Sequence, residues 1–368
     1  MSDLKRILSV NYNQVPCYEI IYDSDFSCLD ANLSPYVLQK RKICIVTDSN
    51  VGTYHSHKLQ EALQNVTDQI YVYTFPAGEQ NKNLMTVQSL YQFLIDHSFD
   101  RNDVLFALGG GVVGDLTGFT AATYLRGIRF FQVPTSLLAM VDSSIGGKTG
   151  VDFDAYKNMV GAFYMPQGVY MNLSTLLTLP QREYLSGMGE VIKHGLIKDC
   201  SYYDWLKKHK DEICSYDMES VLTMVYQSCE IKKEVVERDP KELGERALLN
   251  FGHSIGHAVE KLLDFRLLHG ECVSIGMVAA CYLSHLRGYI SEAELNDIIQ
   301  TLESYQLPVQ VEELDVSQVL NAMSKDKKMD AGVIKFILIN GIGNGVIDTT
   351  VTKEELIQAI KFIVSKNS

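Results

Sequence analysis

The stretch that decides the fold is "ALGGGVVGDLTGF", which runs from Ala107 to Phe119. It closes a short apolar run and then takes on the spacing of a helix, so Gly109, Gly110 and Gly111 stand at a strand-to-helix turn. Glycines there let backbone amides approach a pyrophosphate, and the helix N-terminus favours negative charge. The stretch is not a G-x-G-x-x-G fingerprint, so a tight turn that binds no ligand remains the alternative.

Short apolar and β-branched runs lie on both sides of this turn and alternate with helical patterns. Such alternation is typical of a parallel sheet with right-handed crossovers. Two polar segments, "TDSN" (47–50) and "AGEQNK" (77–82), follow the first two runs, at the strand ends where such sheets bind ligands. The predicted strands are "KICIVTD" (42–48), "QIYVYTF" (69–75), "DVLFALGG" (103–110) and "IRFFQVPT" (128–135), and the predicted helix between them is "NLMTVQSLYQFLIDHSF" (83–99).

Helical patterns dominate the chain after about residue 175. One late exception, "GVIKFILING" (332–341), is followed by Gly343 and Gly345 and is typical of a hairpin strand. We therefore predict an α/β protein with a Rossmann-like parallel-sheet domain over residues 1–178 and a mainly α-helical domain over residues 179–368. The predicted helices of the second domain include "LPQREYLSGMGEVIKHGLIKD", "MESVLTMVYQSCEIKKEVVE" and "GECVSIGMVAACYLSHLRG".

Composition narrows the class of protein. The chain has 368 residues, 46% hydrophobic and 21% charged, which is enough for two domains with sizeable cores. A formal net charge of −12 argues against nucleic acid and anionic membranes as partners. The N-terminal sequence lacks the pattern of a secretion signal, and the eight cysteines include no C-x-x-C pair. We therefore expect reduced thiols and a cytoplasmic location.

A second stretch, "NFGHSIGHAVEKLLDFRLLHGE" (250–271), holds three of the nine histidines. On a helix, His253 and His257 project from the same face one turn apart, and His269 begins the next apolar helix. Glu190 in "GMGEVIKHG" can add a carboxylate, and His and Glu with open positions suit a catalytic divalent metal. The alternative is that these histidines are capping or core residues. The spacing leaves open whether His253, His257 or both bind the metal.

Eight motifs occur along the chain in one order. They are "GGGVVGDLTGF", "LRGI", "VPTSLLAMVDSSIGGKTGVDF", "KNMVGAF", "GEVIKHG", "RALLNFGHSIGHA", "HGECVSIGM" and "DKK". Together they resemble the 3-dehydroquinate synthase family, from about residue 40 to residue 345. The departures are small: Ser136 and Ser254 stand where the family often has Thr, and Cys272 where Ala is usual. None of them removes a metal ligand or a charged contact.

The resemblance implies an NAD-binding N-terminal domain and a C-terminal domain that binds a divalent metal, zinc or cobalt. The implied metal ligands are Glu190, His253 and His269, whereas His257 is implied to act catalytically near the substrate phosphate. The implied NAD contacts are Asp48, Ser49, Asn50, Glu79, Lys82, Gly110, Gly111, Val112, Asp115, Thr135, Ser136, Lys157, Thr175 and Thr178.

Further residues are implied to meet the substrate. Besides His257, the implied catalytic residues are Asp142, Lys148, Asn158 and Lys193. The implied substrate contacts are Arg126, Lys232, Arg246, Asn250 and one lysine of "DKK", either Lys327 or Lys328. Cations among them could surround a phosphate and a carboxylate within an acidic protein. For each cation taken alone, the alternative is a solvated surface charge.

The implied reaction converts 3-deoxy-D-arabino-heptulosonate 7-phosphate, a sugar acid phosphate, to 3-dehydroquinate and phosphate. It belongs to the shikimate pathway of aromatic amino acid biosynthesis. The implied steps are oxidation by NAD, β-elimination of phosphate, return of the hydride and intramolecular aldol closure. The enzyme is thus a lyase that does not consume NAD. The family also implies a homodimer in which Arg126 reaches the substrate phosphate of the neighbouring subunit.

Three alternatives to this interpretation can be compared with it. Another sugar phosphate cyclase, such as 2-deoxy-scyllo-inosose synthase, would share the metal set, but Arg246 and Asn250 match the dehydroquinate synthase pattern. Iron-dependent alcohol dehydrogenases would not need so many cationic residues in the substrate site. A catalytically inactive binding protein would not need an intact metal set together with His257 and Lys148. A turnover assay separates this last class from the enzymes.

Overall fold

The computed structural model describes residues 6–154, 156–264, 266–312, 314–324, 329–330 and 333–364. The chain divides into two compact units. The first holds the residues up to Pro180 together with Val221–Cys229, and the second holds Gln181–Ser220 and the chain from Glu230 onward. A stretch from the second half of the sequence thus belongs to the first unit. No helix in the described part of the chain is long and apolar enough to cross a membrane.

The first unit is built on a mainly parallel sheet. The strands of this unit are β1 (Arg6–Tyr12), β2 (Val15–Asp23), β3 (Ile43–Asp48), β4 (Ile70–Phe75), β5 (Val104–Gly109), β6 (Arg129–Pro134), β7 (Lys148–Phe153), β8 (Tyr156–Phe163) and β9 (Gly168–Asn172). Its helices are α1 (Leu29–Leu33), α2 (Ser49–Gln64), α3 (Leu84–Asp96) and α4 (Gly111–Thr123). Among the described residues, seven strands form one sheet in the order β1-β2-β9-β6-β5-β3-β4. The four predicted strands are confirmed as β3 to β6, and the predicted helix is α3.

Both faces of this sheet are covered, because alternate residues of its central strands enter two different apolar clusters. In β3, Ile43 packs in one cluster with Leu59 of α2, whereas Cys44 belongs to the other with Leu90 of α3. Strands buried on both faces are continuous apolar runs, which is why the sequence pattern identified them. The parallel registers place the carboxyl ends of β3, β4, β5 and β6 at one edge of the sheet.

The second unit is mainly helical, as predicted. Its helices are α5 (Gln181–Lys198), α6 (Cys200–Lys208), α7 (Lys210–Cys214), α8 (Met218–Arg238, part of which belongs to the first unit), α9 (His253–Leu262), α10 (His269–Leu286), α11 (Glu292–Ser304), α12 (Val316–Ser324) and α13 (Lys353–Ile363). Its short strands are β10 (Met329–Asp330), β11 (Val333–Ile334), β12 (Phe336–Ile339) and β13 (Gly345–Asp348). The predicted hairpin is confirmed by the antiparallel pairing of β12 with β13.

Close helix crossings bring three helices of this unit together. A Cβ on Gly189 of α5 would lie 2.6 Å from the carbonyl oxygen of Gly270 in α10. A Cβ on Gly256 of α9 would lie 2.8 Å from the carbonyl oxygen of Cys272, also in α10. Glycine at these positions lets the backbones approach more closely than any side chain allows. The first crossing sets Glu190, the residue after Gly189, beside the start of α10.

Candidate active site

Strand ends in the first unit carry most of the residues expected to contact NAD. They are Asp48, Ser49 and Asn50 at the end of β3, Glu79 and Lys82 after β4, Gly110, Gly111, Val112 and Asp115 after β5, Thr135 and Ser136 after β6, and Thr175 and Thr178 after β9. Lys157 lies apart from them on β8. Because β3, β4, β5 and β6 run parallel, the segments that follow them share one edge of the sheet.

Side chains at the end of β3 fix the conformation of this edge. Asp48 caps α2, and its carboxylate accepts the backbone N–H of Asn50 at 2.8 Å. The Ser49 hydroxyl accepts the N–H of Ala77 at 3.1 Å and so joins the β3 end to the loop after β4. In that loop Gly78 has φ +113°, a conformation that side chains disfavour. The chain itself therefore orders both segments.

The glycine-rich turn joins β5 to α4, as predicted. Gly110 is the N-cap residue of α4, and no described side chain caps this helix, so its first N–H groups suit an anionic ligand. At Gly109 the structure gives a different reason for glycine than the predicted approach of a pyrophosphate. A Cβ at Gly109 would lie 2.6 Å from the Cβ of Val113, so this glycine serves strand-to-helix packing. A Cβ on Gly110 would meet nothing closer than the Ser136 hydroxyl at 3.4 Å.

Lys82, Asp115 and Asn158 form a polar cluster in which Lys82 is buried, Asp115 is partly buried and Asn158 is exposed. Lys82 Nζ donates to Asp115 Oδ2 at 2.7 Å and to Asn158 Oδ1 at 2.6 Å. Burial raises the pKa of Asp115 although Lys82 opposes it. Burial would lower the pKa of Lys82, but the attraction of Asp115 and Glu79 outweighs burial and raises that pKa. Asn158 has φ +53° and donates its backbone N–H to Asp152 Oδ1 at 2.7 Å. The cluster offers oriented donors and acceptors to hydroxyl groups.

Three other predicted residues of the first unit lie on neighbouring elements. Asp142 lies in the helical turn Ala139–Ser143 that follows β6, and Lys148 is the first residue of β7. Arg126 lies in the turn between α4 and β6, where the sequence placed it, and its side chain is exposed. Its backbone has φ +67°, so the turn holds a conformation that is uncommon for a residue other than glycine.

In the second unit, three histidines and one glutamate converge where α5 and α9 meet α10. One nitrogen from each of His253, His257 and His269 lies within 4.8 Å of the others. Glu190 Oε1 lies 3.5 Å from Nε2 of His253 and 3.8 Å from Nε2 of His269. The structure thus brings together four candidate groups, one more than the ligand set that the resemblance implies.

The charge and burial of Glu190 decide what this cluster can hold. Glu190 is 0% exposed, and its Oε2 pairs with the ammonium of Lys193. Its Oε1 has no hydrogen-bond partner among the described residues. A buried carboxylate oxygen without a donor is costly, and a bound cation would remove that cost. One carboxylate and two imidazoles are ligands that zinc and cobalt accept, so the residues fit a divalent metal.

The outer nitrogens of two rings face acceptors. The Phe251 carbonyl oxygen lies 3.1 Å from Nδ1 of His253, and Glu260 Oε2 lies 3.8 Å from Nδ1 of His269. A proton held on Nδ1 leaves the lone pair of a neutral imidazole on Nε2, the atom that faces Glu190 in both rings. Both rings are therefore oriented as metal-binding histidines usually are.

The second unit also buries three of the predicted cations. Lys193, Lys232 and Arg246 are 1%, 5% and 2% exposed, respectively. Charged side chains are almost never so buried unless they are paired. Arg246 Nη1 donates to the Pro240 carbonyl at 2.7 Å, and Lys193 contacts Glu190. These cations are not solvated surface charges, which was the alternative for each of them in the sequence.

Two residues that the sequence analysis did not single out hold this region in place. Glu242 accepts from Asn250 Nδ2 at 2.7 Å. Asp239 accepts three backbone N–H groups, including that of Arg246 at 3.0 Å. Burial would raise the pKa of Asp239, but these three bonds outweigh it and lower that pKa. Acidic residues beside Pro and Gly are typical of exposed loops, so no pattern marked them. Both lysines of "DKK" lie outside the described residues.

The fold and the site define a class of enzymes that join a nucleotide-binding α/β unit to a helical unit built around histidines. Two family models cover adjacent parts of the chain: 3-dehydroquinate synthase N-terminal at residues 72–186 and 3-dehydroquinate synthase C-terminal at residues 187–329. A 3-dehydroquinate synthase from Acetivibrio thermocellus is 43% identical over 355 residues, which are 96% of this chain and 98% of the relative. The chain belongs to the 3-dehydroquinate synthase family.

Solved structures agree with this fold. The 2-epi-5-epi-valiolone synthase from Streptomyces hygroscopicus subsp. jinggangensis, with NAD+ and Zn2+ bound, is 28% identical with a TM-score of 0.87. The match covers 94% of this chain and 96% of that one. A 2-deoxy-scyllo-inosose synthase complexed with carbaglucose-6-phosphate, NAD+ and Co2+ has a TM-score of 0.89 at 22% identity, covering 97% and 100% of the two chains. This second likeness is evidence for the fold alone.

Proposed function

We propose that this protein converts 3-deoxy-D-arabino-heptulosonate 7-phosphate to 3-dehydroquinate and phosphate. The observation that carries the proposal is the approach of Glu190 Oε1 to Nε2 of His253 and His269, in a chain 43% identical to a 3-dehydroquinate synthase. The reaction is an elimination of phosphate followed by ring closure, so the enzyme acts as a lyase. The sugar acid phosphate brings two anionic groups that the protein must bind.

NAD and a divalent metal, zinc or cobalt, are the proposed cofactors. We assign the metal to Glu190, His253 and His269, because their donor atoms face one another and fit such an ion. We assign NAD to the strand ends of the first unit, where α4 begins without a described side-chain cap. When bound, NAD accepts and returns a hydride, and the metal supplies Lewis acidity.

The buried cations of the second unit are proposed to bind the anionic groups of the substrate. Lys193, Lys232 and Arg246 are buried in a protein whose formal net charge is −12, so they form a basic region that the overall composition does not predict. The planar guanidinium of Arg246 suits two parallel hydrogen bonds to a carboxylate. Asn250, whose side-chain amide donates to Glu242, lies in the same helical turn as Arg246 and adds an amide group. Glucose 6-phosphate offers no carboxylate to such a site.

His257 is proposed to hold or move a proton at the substrate phosphate. Its ring centroid lies 5.2 Å from that of His253 and 5.8 Å from that of His269, so it is close enough to be tested as a ligand as well. Its role outside the ligand set is the one that the family resemblance implies. An imidazole is the side chain best suited to proton transfer near neutral pH.

The first unit is proposed to orient hydroxyl groups and the departing phosphate. Lys82, Asp115 and Asn158 present fixed donors and acceptors, and the Asn158 backbone is held by Asp152. Asp142 and Lys148 are assigned catalytic roles on the strength of the family resemblance. A homodimer also belongs to the proposal, because Arg126 is implied to act on the substrate of the neighbouring subunit.

Phosphate release is the test of this function. The purified protein is incubated with the heptulosonate phosphate, catalytic NAD and zinc, beside a parallel assay on glucose 6-phosphate. We expect phosphate from the heptulosonate alone, without a lasting rise in NADH absorbance, because the hydride returns to the substrate. Glu190→Gln preserves side-chain size but weakens the metal ligand, and it should release little phosphate.

Each other result points to a different class of protein. Release from glucose 6-phosphate would indicate another sugar phosphate cyclase, such as a 2-deoxy-scyllo-inosose synthase. Accumulation of NADH in proportion to substrate would indicate a dehydrogenase. Absence of turnover with bound metal and NAD would indicate an inactive binding protein.

A further inference from the structure

A buried histidine contacts one of the residues assigned to NAD. His55 lies in the second turn of α2 and is 4% exposed. Its Nε2 lies 2.7 Å from Oγ1 of Thr178, an exposed residue at the end of the helical turn Leu173–Thr178. Nothing in the motifs that carry the family resemblance includes His55. The contact between His55 and Thr178 is therefore seen only in the structure.

The direction of this hydrogen bond follows from the rest of the turn. Thr178 Oγ1 donates its only proton to the Thr175 carbonyl at 2.9 Å, so it must accept from His55 Nε2. The acceptor role of Thr178 places a proton on Nε2 of His55. Burial, with a further contribution from Lys58, lowers the pKa of His55, which favours the neutral ring. Thr178 retains one lone pair on its hydroxyl oxygen, which makes it an acceptor toward a ligand.

Helix α2 joins three segments that are assigned to NAD. Its first turn contains Ser49 and Asn50, and the Ser49 hydroxyl accepts the Ala77 N–H from the loop after β4. One turn further along, His55 fixes the Thr175–Thr178 turn after β9. Strands β3 and β9 are not neighbours in the sheet, so the contact links parts of the edge that strand pairing does not link directly.

We propose that His55 is a positioning residue for NAD, which holds the Thr178 hydroxyl in one orientation against α2. The inference rests on the proposed NAD site. A turn that is already ordered loses less conformational entropy when the ligand binds, so removal of the His55 donor should weaken NAD binding. An unmade hydrogen bond of this kind corresponds to about a 10-fold change in Kd.

The experiment measures the Kd of NAD by titration calorimetry with substrate-free protein. His55→Phe keeps the ring volume but loses the donor, and we expect it to raise the Kd about 10-fold. His55→Gln keeps an N–H donor and should recover most of the affinity. His57→Phe is the matched control, because His57 lies on the same helix with its side chain 83% exposed, and it should leave the Kd unchanged.

A double-mutant cycle separates this role from general stability. Thr178→Val should itself weaken NAD binding, and adding His55→Phe to it should have little further effect, because the two side chains act through one bond. In steady-state assays the KM for NAD should rise while kcat at saturating NAD stays near that of the unmodified protein. Zinc content, set by residues of the second unit, should not change.

The outcomes distinguish this inference from the proposed function. If the unmodified protein does not bind NAD, the proposed function fails. If it binds NAD and His55→Phe binds equally well, or the two substitutions add independently, the inference about His55 is overturned. Should His55→Phe not fold, His55→Met takes its place, because methionine is close to glutamine in size but has no N–H donor. His55→Gln should then retain the affinity and His55→Met should lose it.

Discussion

Glu190 Oε1 lies 3.5 Å from Nε2 of His253, although the two residues belong to different helices far apart in the sequence. The approach depends on backbone contact, because a Cβ on Gly189 would lie 2.6 Å from the Gly270 carbonyl oxygen. The same oxygen of Glu190 lies 3.8 Å from Nε2 of His269, the residue before Gly270. Close backbone contact at a glycine, where α5 crosses α10, thus helps to set the distances among the proposed ligands.

This geometry makes a prediction about the two helix histidines. His253→Ala should lose about one equivalent of bound metal and most turnover, because Nε2 of His253 faces Oε1 of Glu190, which has no hydrogen-bond partner among the described residues. His257→Ala should keep the metal and lose rate. Metal content after gel filtration, measured by atomic emission, checks both variants. An empty site in His257→Ala would show that this histidine is a ligand and that its assigned role is wrong.

A second prediction concerns the carboxylate behind His269. Glu260 is 5% exposed, and its Oε2 lies 3.8 Å from Nδ1 of His269. Carboxylates that accept the outer N–H of a metal-binding histidine orient the ring and increase its basicity, and their loss typically lowers metal affinity roughly 10- to 100-fold. Glu260→Gln should therefore weaken zinc binding by that amount in chelator competition. Asp264→Asn removes an exposed carboxylate nearby and is the control. Equal zinc affinity in both variants would contradict a role for Glu260.

The sequence predicts the sheet of the first unit well, for a physical reason. Strands β3, β5 and β6 are buried on both faces and therefore appear as continuous apolar runs. The hairpin β7–β8 was not predicted, because its strands mix glycine with exposed polar residues. The return of Val221–Cys229 to the first unit has no local signal either, since the whole of α8 has one helical pattern.

The site was predictable only in part. Helical spacing placed His253 and His257 on one face, but it could not decide between them. The choice of Glu190, His253 and His269 came from the family resemblance, and the geometry that supports it depends on a helix crossing that local sequence does not specify. Glu260 and His55 gave no signal, because a Glu or His on an amphipathic helix usually faces solvent.

A third prediction concerns the pH dependence of stability in the second unit. Arg287 donates two hydrogen bonds to Glu355, at 2.9 Å and 2.8 Å. These bonds, with a smaller contribution from Thr352, lower the pKa of Glu355 from 4.5 to about 2. A carboxylate whose pKa is lower in the folded state stabilises fully above its unfolded pKa, and loses this contribution as the pH falls through its folded pKa. The window of loss therefore runs from about pH 4.5 to about pH 2.

Glu355→Gln tests this directly. At pH 7 we expect it to reduce the free energy of unfolding by about 1–2 kcal/mol, less than the full pKa shift implies because the pair is partly exposed. The difference from the unmodified protein should persist to about pH 5 and shrink below pH 4.5. Urea unfolding at several pH values measures it, with the exposed neighbour Glu354→Gln as control. A difference independent of pH would mean that charge is not its source.

The last prediction concerns Arg126 and the proposed homodimer. Leu125, Arg126 and Gly127 all have positive φ, of 49°, 67° and 121°, so the turn that presents this arginine has a specific and uncommon shape. The Arg126 side chain is exposed in the protomer, as expected if it serves a neighbouring subunit. A charge-assisted contact to phosphate is worth about 1.5–3 kcal/mol, or roughly 10- to 150-fold in affinity. Arg126→Ala and Lys148→Ala should each release phosphate more slowly than the unmodified protein.

Mixed dimers of these two variants decide where Arg126 acts. If it acts on the neighbouring subunit, one site of each heterodimer combines an intact Lys148 with an intact Arg126, and the other site lacks both. Two damaged parents should then recover up to half of the unmodified activity per heterodimer, measured as phosphate release from heterodimers isolated with two affinity tags. If Arg126 acts within its own subunit, each site of the heterodimer lacks one residue and activity stays at the parental level. The absence of recovery in a verified heterodimer would therefore assign Arg126 to its own protomer, or to no part of the site.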